Sequence, residues 1–136
     1  MAQSPKKRRL LVADDNEDMR LSMKLLLERA GYDVATASDG NEALELQRES
    51  PRDVLITDIF MPDADGLETI DRFKREFPAV KILAMSAGGG RMKSLRYLSL
   101  AGVAGADATL AKPFESAVLL ETLEGLLAGE SGTIGS

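Results

Sequence analysis

Asp14, Asp15, Asp58, Ser86 and Lys112 each stand where an apolar run gives out, in "LLVADD", "VLITD", "ILAMS" and "ATLAK". Together they offer three carboxylates, a hydroxyl and an ammonium, in a chain with no His and no Cys. If they meet, the set has a definite chemistry. Two carboxylates about 5 Å apart repel by roughly 3 kcal/mol at an effective dielectric near 20, so three of them require a cation or must take up protons. Lys112 supplies one positive charge. An all-oxygen ligand set on an open rim suits a hard divalent ion, Mg²⁺ above all, which accepts a few carboxylates and keeps its remaining sites for water or phosphoryl oxygens. One carboxylate is then placed to attack a phosphoryl group. The metal and the ammonium would stabilise its equatorial oxygens, and Ser86 would donate a hydrogen bond.

These residues meet only if the elements carrying them are parallel strands. Apolar runs of strand length alternate with segments of helical period, the pattern of βα units in an α/β fold, a doubly wound parallel sheet of five strands with five helices. The pattern predicts strands over "LLVAD" (10–14), "YDVATA" (32–37), "DVLITD" (53–58), "KILAMS" (81–86) and "DATLAK" (107–112). The first, third and fourth are almost continuously apolar, as strands covered on both faces should be. Asn16 or Asp15 can cap a first helix with Met19, Met23, Leu26, Leu27 and Ala30 on one face and Gly31 at its stop. Asp39 can cap a second helix through Glu49, and Asp65 a third through Glu76. A fourth is predicted over 94–101, after the glycines of "AGGGRMK", and a leucine-rich fifth over 115–128. In such a sheet every strand exit faces one rim, where ligands bind, so the polar exits form one constellation.

Length and composition narrow the function. At 136 residues the chain suits one compact domain over 9–128, with a flexible flank at 1–8 and a small, polar, disordered tail at 129–136. Hydrophobic residues at 44% and charged ones at 29% are the balance of a soluble protein, and no apolar stretch nears the roughly 20 residues of a membrane span. The absence of Cys and His removes disulfides, thiol nucleophiles, imidazole metal sites and a phosphohistidine carried by the chain itself, and fits a reducing, cytoplasmic setting. A net charge of −5 argues against nucleic acid as a partner. The basic run "KKRR" at 6–9 reads as a solvated flank to the first strand.

Each polar residue taken alone has a plainer reading. "ADDNE" could simply cap a helix, Asp58 close a strand, Ser86 sit in a turn and Lys112 lie on the surface. Their joint placement at the exits of separate strands, in this order, favours the common site.

The residues that carry the site also carry a resemblance. The acidic pair in "VADDNE", Asp58 in "ITDIFMPDADG" with Met61, Pro62 and Gly66, "MSA" after the fourth apolar run and "AKPF" after the fifth resemble the receiver domain of two-component response regulators, including the stand-alone chemotaxis type. The resemblance spans about residues 9–128. It implies a flavodoxin-like sheet of order 2-1-3-4-5 and a single-domain switch rather than an enzyme. It implies that Asp58 is the phosphoacceptor, served by a sensor histidine kinase or a histidine phosphotransfer protein. Asp15 would ligate Mg²⁺ directly, Asp14 mainly through water, and the Phe60 carbonyl would add an oxygen. Ser86 and the Ala87 amide would bind the phosphoryl oxygens and Lys112 would pair with them, aimed by a cis peptide before Pro113. The output would be a changed surface around the fourth helix, fifth strand and fifth helix, read by a partner protein.

Three positions depart from the family pattern. Thr109 stands where an aromatic residue usually reports phosphorylation, Phe60 is bulky at a position governing access of attacking water, and Gly88 has no side chain there; an altered dephosphorylation rate is expected. Four other readings compete: a receiver cut from a longer response regulator, a phosphatase of the haloacid dehalogenase type, a flavin- or nucleotide-binding module, and a constitutive interaction module. The phosphatase needs a second acid two residues after the nucleophile, where Phe60 stands. A phosphate-binding loop needs Gly before Lys, where "AGGGRMK" has Met92. The intact acidic pair, Asp58 and Lys112 argue against a module that has lost its switch.

Overall fold

The computed structural model describes residues 7–59, 66–86, 99–102, 104–112 and 114–128. Its strands are β1 (Arg9–Ala13), β2 (Asp33–Ala37), β3 (Val54–Asp58), β4 (Lys81–Ser86) and β5 (Ala108–Ala111). They alternate with α1 (Glu17–Arg29), α2 (Gly40–Glu49), α3 (Gly66–Glu76), a helical segment α4 at 99–102 and 104, and α5 (Ser116–Leu127). All neighbouring strands are parallel, in the order β2-β1-β3-β4-β5. This is the expected flavodoxin-like arrangement.

Side-chain alternation along the strands divides the core into two layers. Leu10, Val12, Val54, Ile56, Leu83 and Met85 face α1 and α5, where Met23, Leu27, Leu119, Leu123 and Leu126 meet them. Leu11, Ala13, Leu55, Ile82 and Ala84 face the other way, against Ala43, Leu44, Ile70, Phe73 and Ala101 of the remaining helices. Each large side chain so buried is worth about 1.5–3 kcal/mol relative to exposure. That driving force, present on both faces, is why β1, β3 and β4 read as nearly unbroken apolar runs.

Element ends differ from the sequence expectation where polar side chains find other work. Asp53, Asp107 and Lys112 flank their strands rather than extend them. The Asp53 carboxylate accepts the Arg9 amide at 2.8 Å, and that of Asp107 accepts the Ile82 amide at 2.8 Å and the Lys74 ammonium at 2.8 Å. Asn16 is the cap of α1, its side chain accepting from the Met19 amide at 2.9 Å, and Asp39 caps α2 by accepting from Glu42 at 2.8 Å. Gly31 closes α1 at φ 99°. Helix α4 runs past the predicted end at Ala101, to a turn in which Ala106 donates to the Ala101 carbonyl at 2.9 Å and Gly105 takes φ 124°. A side chain on Gly105 would also strike Lys74, its Cβ falling 2.7 Å from Cγ. The predicted Asp65 cap, the glycine loop, the start of the fourth helix and both terminal segments, 1–6 and 129–136, lie outside the described residues.

Strand register delivers the polar exits to one place. Ala13 is level with Thr57, Asp58 with Met85, and Ser86 with Ala111. The next residues along are therefore neighbours: Asp14 beside Asp58, and Lys112 beyond Ser86. The ladder continues past the strand ends, with Ile59 donating to Met85 at 2.9 Å and Lys112 to Ser86 at 2.9 Å.

Candidate functional site

Carboxylate oxygens of Asp14, Asp15 and Asp58 lie within 4.8 Å of one another at the rim. The Lys112 ammonium reaches Asp14 Oδ2 at 3.1 Å and Asp58 Oδ2 at 3.0 Å, bridging the exits of β1, β3 and β5. Asp14 is buried and fully engaged, since its Oδ1 also accepts the Asn16 amide at 2.9 Å. Asp15 is exposed and, among the described residues, makes no side-chain hydrogen bond or ion pair. Ser86 is wholly buried, and among the described residues its Oγ has no hydrogen-bond partner. The sequence-predicted Asp14, Asp15, Asp58 and Lys112 are thus brought together, and Ser86 ends the strand between β3 and β5. Thr109 lies within β5, level with Ala84. Phe60, Ala87, Gly88 and Pro113 lie outside the described residues.

The exit of β3 is held tightly from the other side. Gly66, the first residue of α3, donates to the Ile59 carbonyl at 3.0 Å. A Cβ there would fall 2.5 Å from both the Asp58 carbonyl oxygen and Ile59 Cα. Only glycine lets α3 approach the backbone of Asp58 this closely. Sequence reasoning noted Gly66 by spacing alone and missed Arg20 altogether. Arg20, one turn into α1, donates from Nη1 to the Asp14 carbonyl at 2.7 Å. Its spacing from the acidic pair carried no signal of that contact.

The donor set fits a hard cation. Three carboxylates against one ammonium leave two negative charges, and every ligand atom is oxygen, which is what Mg²⁺ asks of a site. Lys112 registers the same field. Burial alone would lower its pKa, but the ion pairs and hydrogen bonds to Asp58 and Asp14 outweigh it and hold the ammonium above its ordinary value. A base that binds its proton more tightly when folded stabilises the fold below the unfolded value and loses that contribution as pH rises through the folded one. The urea midpoint of the metal-free protein is therefore expected to fall above about pH 10.5, the ordinary lysine value. Tyr32, raised by burial and by Glu124, titrates in the same direction. The comparison is with Lys112→Met: a decline equally steep in that variant would show that Lys112 is not responsible.

Beside the cluster, Lys112 forms one wall of an apolar cavity of about 500 Å³, lined by Met19, Ser22, Met23 and Leu26 of α1 with Phe114 and Leu119. Among the described residues, no helix is long and apolar enough to cross a membrane.

A sequence profile for the response regulator receiver domain matches residues 10–124. Chemotaxis protein CheY of Thermotoga maritima is 33% identical over 117 residues, covering 85% of this chain and 94% of that protein. The alkaline phosphatase synthesis transcriptional regulatory protein PhoP of Bacillus subtilis is 35% identical over 107 residues, covering 79% of this chain but 43% of that protein. The chain thus spans about half the length or less of the transcriptional regulators it matches. A response regulator receiver domain protein from Clostridium thermocellum superposes with a TM-score of 0.82 at 29% identity, over 90% of this chain and 95% of that one.

Proposed function

This chain belongs to the response regulator receiver domain family, and from that membership we propose that it takes a phosphoryl group onto Asp58, in a Mg²⁺-dependent reaction, from a phosphohistidine on a partner protein. The observation that carries the reading is the meeting of Lys112 with Asp58 and Asp14 beside the exposed Asp15. An Asp58 carboxylate oxygen attacks phosphorus, and the bond from phosphorus to the donor's imidazole nitrogen breaks, the nitrogen leaving with the electron pair. Lys112, Ser86 and the Ala87 amide hold the phosphoryl oxygens. The orphaned Ser86 hydroxyl supports its part, because a buried donor without a partner is matched by an incoming anionic oxygen.

Asp15, Asp58 and the Phe60 carbonyl would hold Mg²⁺, with Asp14 acting through water; that both Asp14 oxygens already accept bonds supports the indirect role. When bound, the ion neutralises charge on the transferring group. The donor is a sensor histidine kinase or a histidine phosphotransfer protein, and the apolar cavity beside Lys112 offers it contact area next to Asp58. The protein is a switch rather than a turnover enzyme, working in the cytoplasm through a changed α4–β5–α5 surface. Phosphorylation shifts the surface only as far as Ser86, Ala87 and Lys112 bind the phosphoryl group better in one arrangement than in the other.

Incubation with a small phosphodonor such as acetyl phosphate and Mg²⁺, followed by intact mass, tests the reading. One phosphoryl group is expected to be added, and excess chelator is expected to suppress the addition at least tenfold, as loss of a charge-stabilising metal requires. Labelling that proceeds equally well in chelator would remove the metal from the proposal.

A further inference from the structure

We propose that Arg20 is a positioning residue for the metal site, acting through the backbone to hold Asp15 in the carboxylate cluster. The inference rests on the reading of the rim as a Mg²⁺ site and adds to it a residue outside the ligand set. Among the described residues, Asp15 is the one carboxylate of the cluster that no side chain holds, so its position depends on the main chain on either side of it. On the N-terminal side the Asp14 amide donates to the Ala37 carbonyl at 3.1 Å. On the C-terminal side the Asn16 amide donates to Asp14 Oδ1 at 2.9 Å, and Asn16 caps α1. The peptide plane between Asp14 and Asp15 is what remains, and Arg20 fixes it by donating to the Asp14 carbonyl at 2.7 Å. A charged donor on a backbone oxygen makes one of the stronger hydrogen bonds available to that loop. Arg20 belongs to the same helix that Asn16 caps, so the acidic loop and the first turn of α1 form one braced unit.

Geometry and charge predict opposite signs for the loss of Arg20. As a nearby cation, Arg20 repels a divalent ion, and its removal would tighten binding. As a brace, it keeps Asp15 ready, and its removal weakens binding by about tenfold or more, the usual effect of losing a group that orients a metal ligand. Isothermal titration of Mg²⁺ into wild type, Arg20→Met and Arg20→Lys decides, with the metal-free melting temperature as a second readout. Arg20→Met is expected to bind Mg²⁺ about tenfold more weakly. Arg20→Lys should recover part of the loss, because it keeps a donor but not the guanidinium fork. Unchanged or tighter binding by Arg20→Met overturns the inference, as does a lowered melting temperature with an unaltered Mg²⁺ affinity, the mark of a residue that only stabilises α1. Failure of wild type to bind Mg²⁺ would overturn the metal reading and this inference with it, whereas normal wild-type binding with indifferent variants defeats this inference alone.

Discussion

Asp58→Asn is expected to eliminate phosphoryl labelling by a small phosphodonor and to leave the metal-free protein at least as stable as wild type, with a gain of about 1.5 kcal/mol. The first effect follows from chemistry: a neutral amide oxygen is a poor nucleophile, and among the described residues no other carboxylate at the rim shares the position of Asp58 beside Lys112 and at the exit of β3. The second follows from near cancellation. At an effective dielectric near 20, the Lys112 contact at 3.0 Å favours the Asp58 charge by about 5.5 kcal/mol, while each of two carboxylates at up to 4.8 Å opposes it by about 3.5 kcal/mol. Removing the charge removes both. Intact mass and urea denaturation on the same preparation report both quantities, and labelling of the Asn variant at the wild-type level would end the assignment of Asp58.

Lys112→Met should behave in the opposite way, costing stability as well as chemistry. The Lys112 side chain is 11% exposed and its partners Asp14 and Asp58 are 1% and 12% exposed, so removing it leaves carboxylates facing one another in a poorly hydrated rim. Breaking a buried ion pair from one side typically costs 3–5 kcal/mol. About 3 kcal/mol is expected here for the metal-free protein, with most of it restored by Mg²⁺, which the variant should bind more tightly than wild type. Phosphoryl labelling should nonetheless slow by about 100-fold, since a cation positioned to stabilise the transferring group is lost. A variant as stable as wild type without Mg²⁺ would mean that the carboxylates do not depend on Lys112.

The fold was legible in the sequence because its signals are local and repeated. Strands β1, β3 and β4 announce themselves as apolar runs, since both of their faces are buried, and Asn16, Asp39 and Gly31 mark helix ends by chemistry that acts within one turn. The membership of the site was legible for a related reason: parallel strands share a rim, so polar residues at their exits converge whatever the details of packing. Contacts that depend on tertiary register were not legible. Nothing in the spacing of "DDNEDMR" says that Arg20 folds back onto the Asp14 carbonyl. Nor does it say that Asn16 takes one Asp14 oxygen while Lys112, 98 residues away in sequence, takes the other. The close approach of Gly66 to Asp58 is of the same kind, since the absence of a side chain carries no record of what fills the space. The end of α4 was misplaced because Gly102 and Gly105 both look like stops, and only Gly105 adopts the left-handed backbone.

Ser86 leaves an unmet hydroxyl at the end of β4. A hydroxyl sealed from solvent, with no partner among the described residues, costs the protein about 1–3 kcal/mol. An anionic oxygen brought within reach of Ser86 Oγ would relieve that cost, so a phosphoryl group carried on Asp58, as proposed above, would be held there more tightly by up to the same amount.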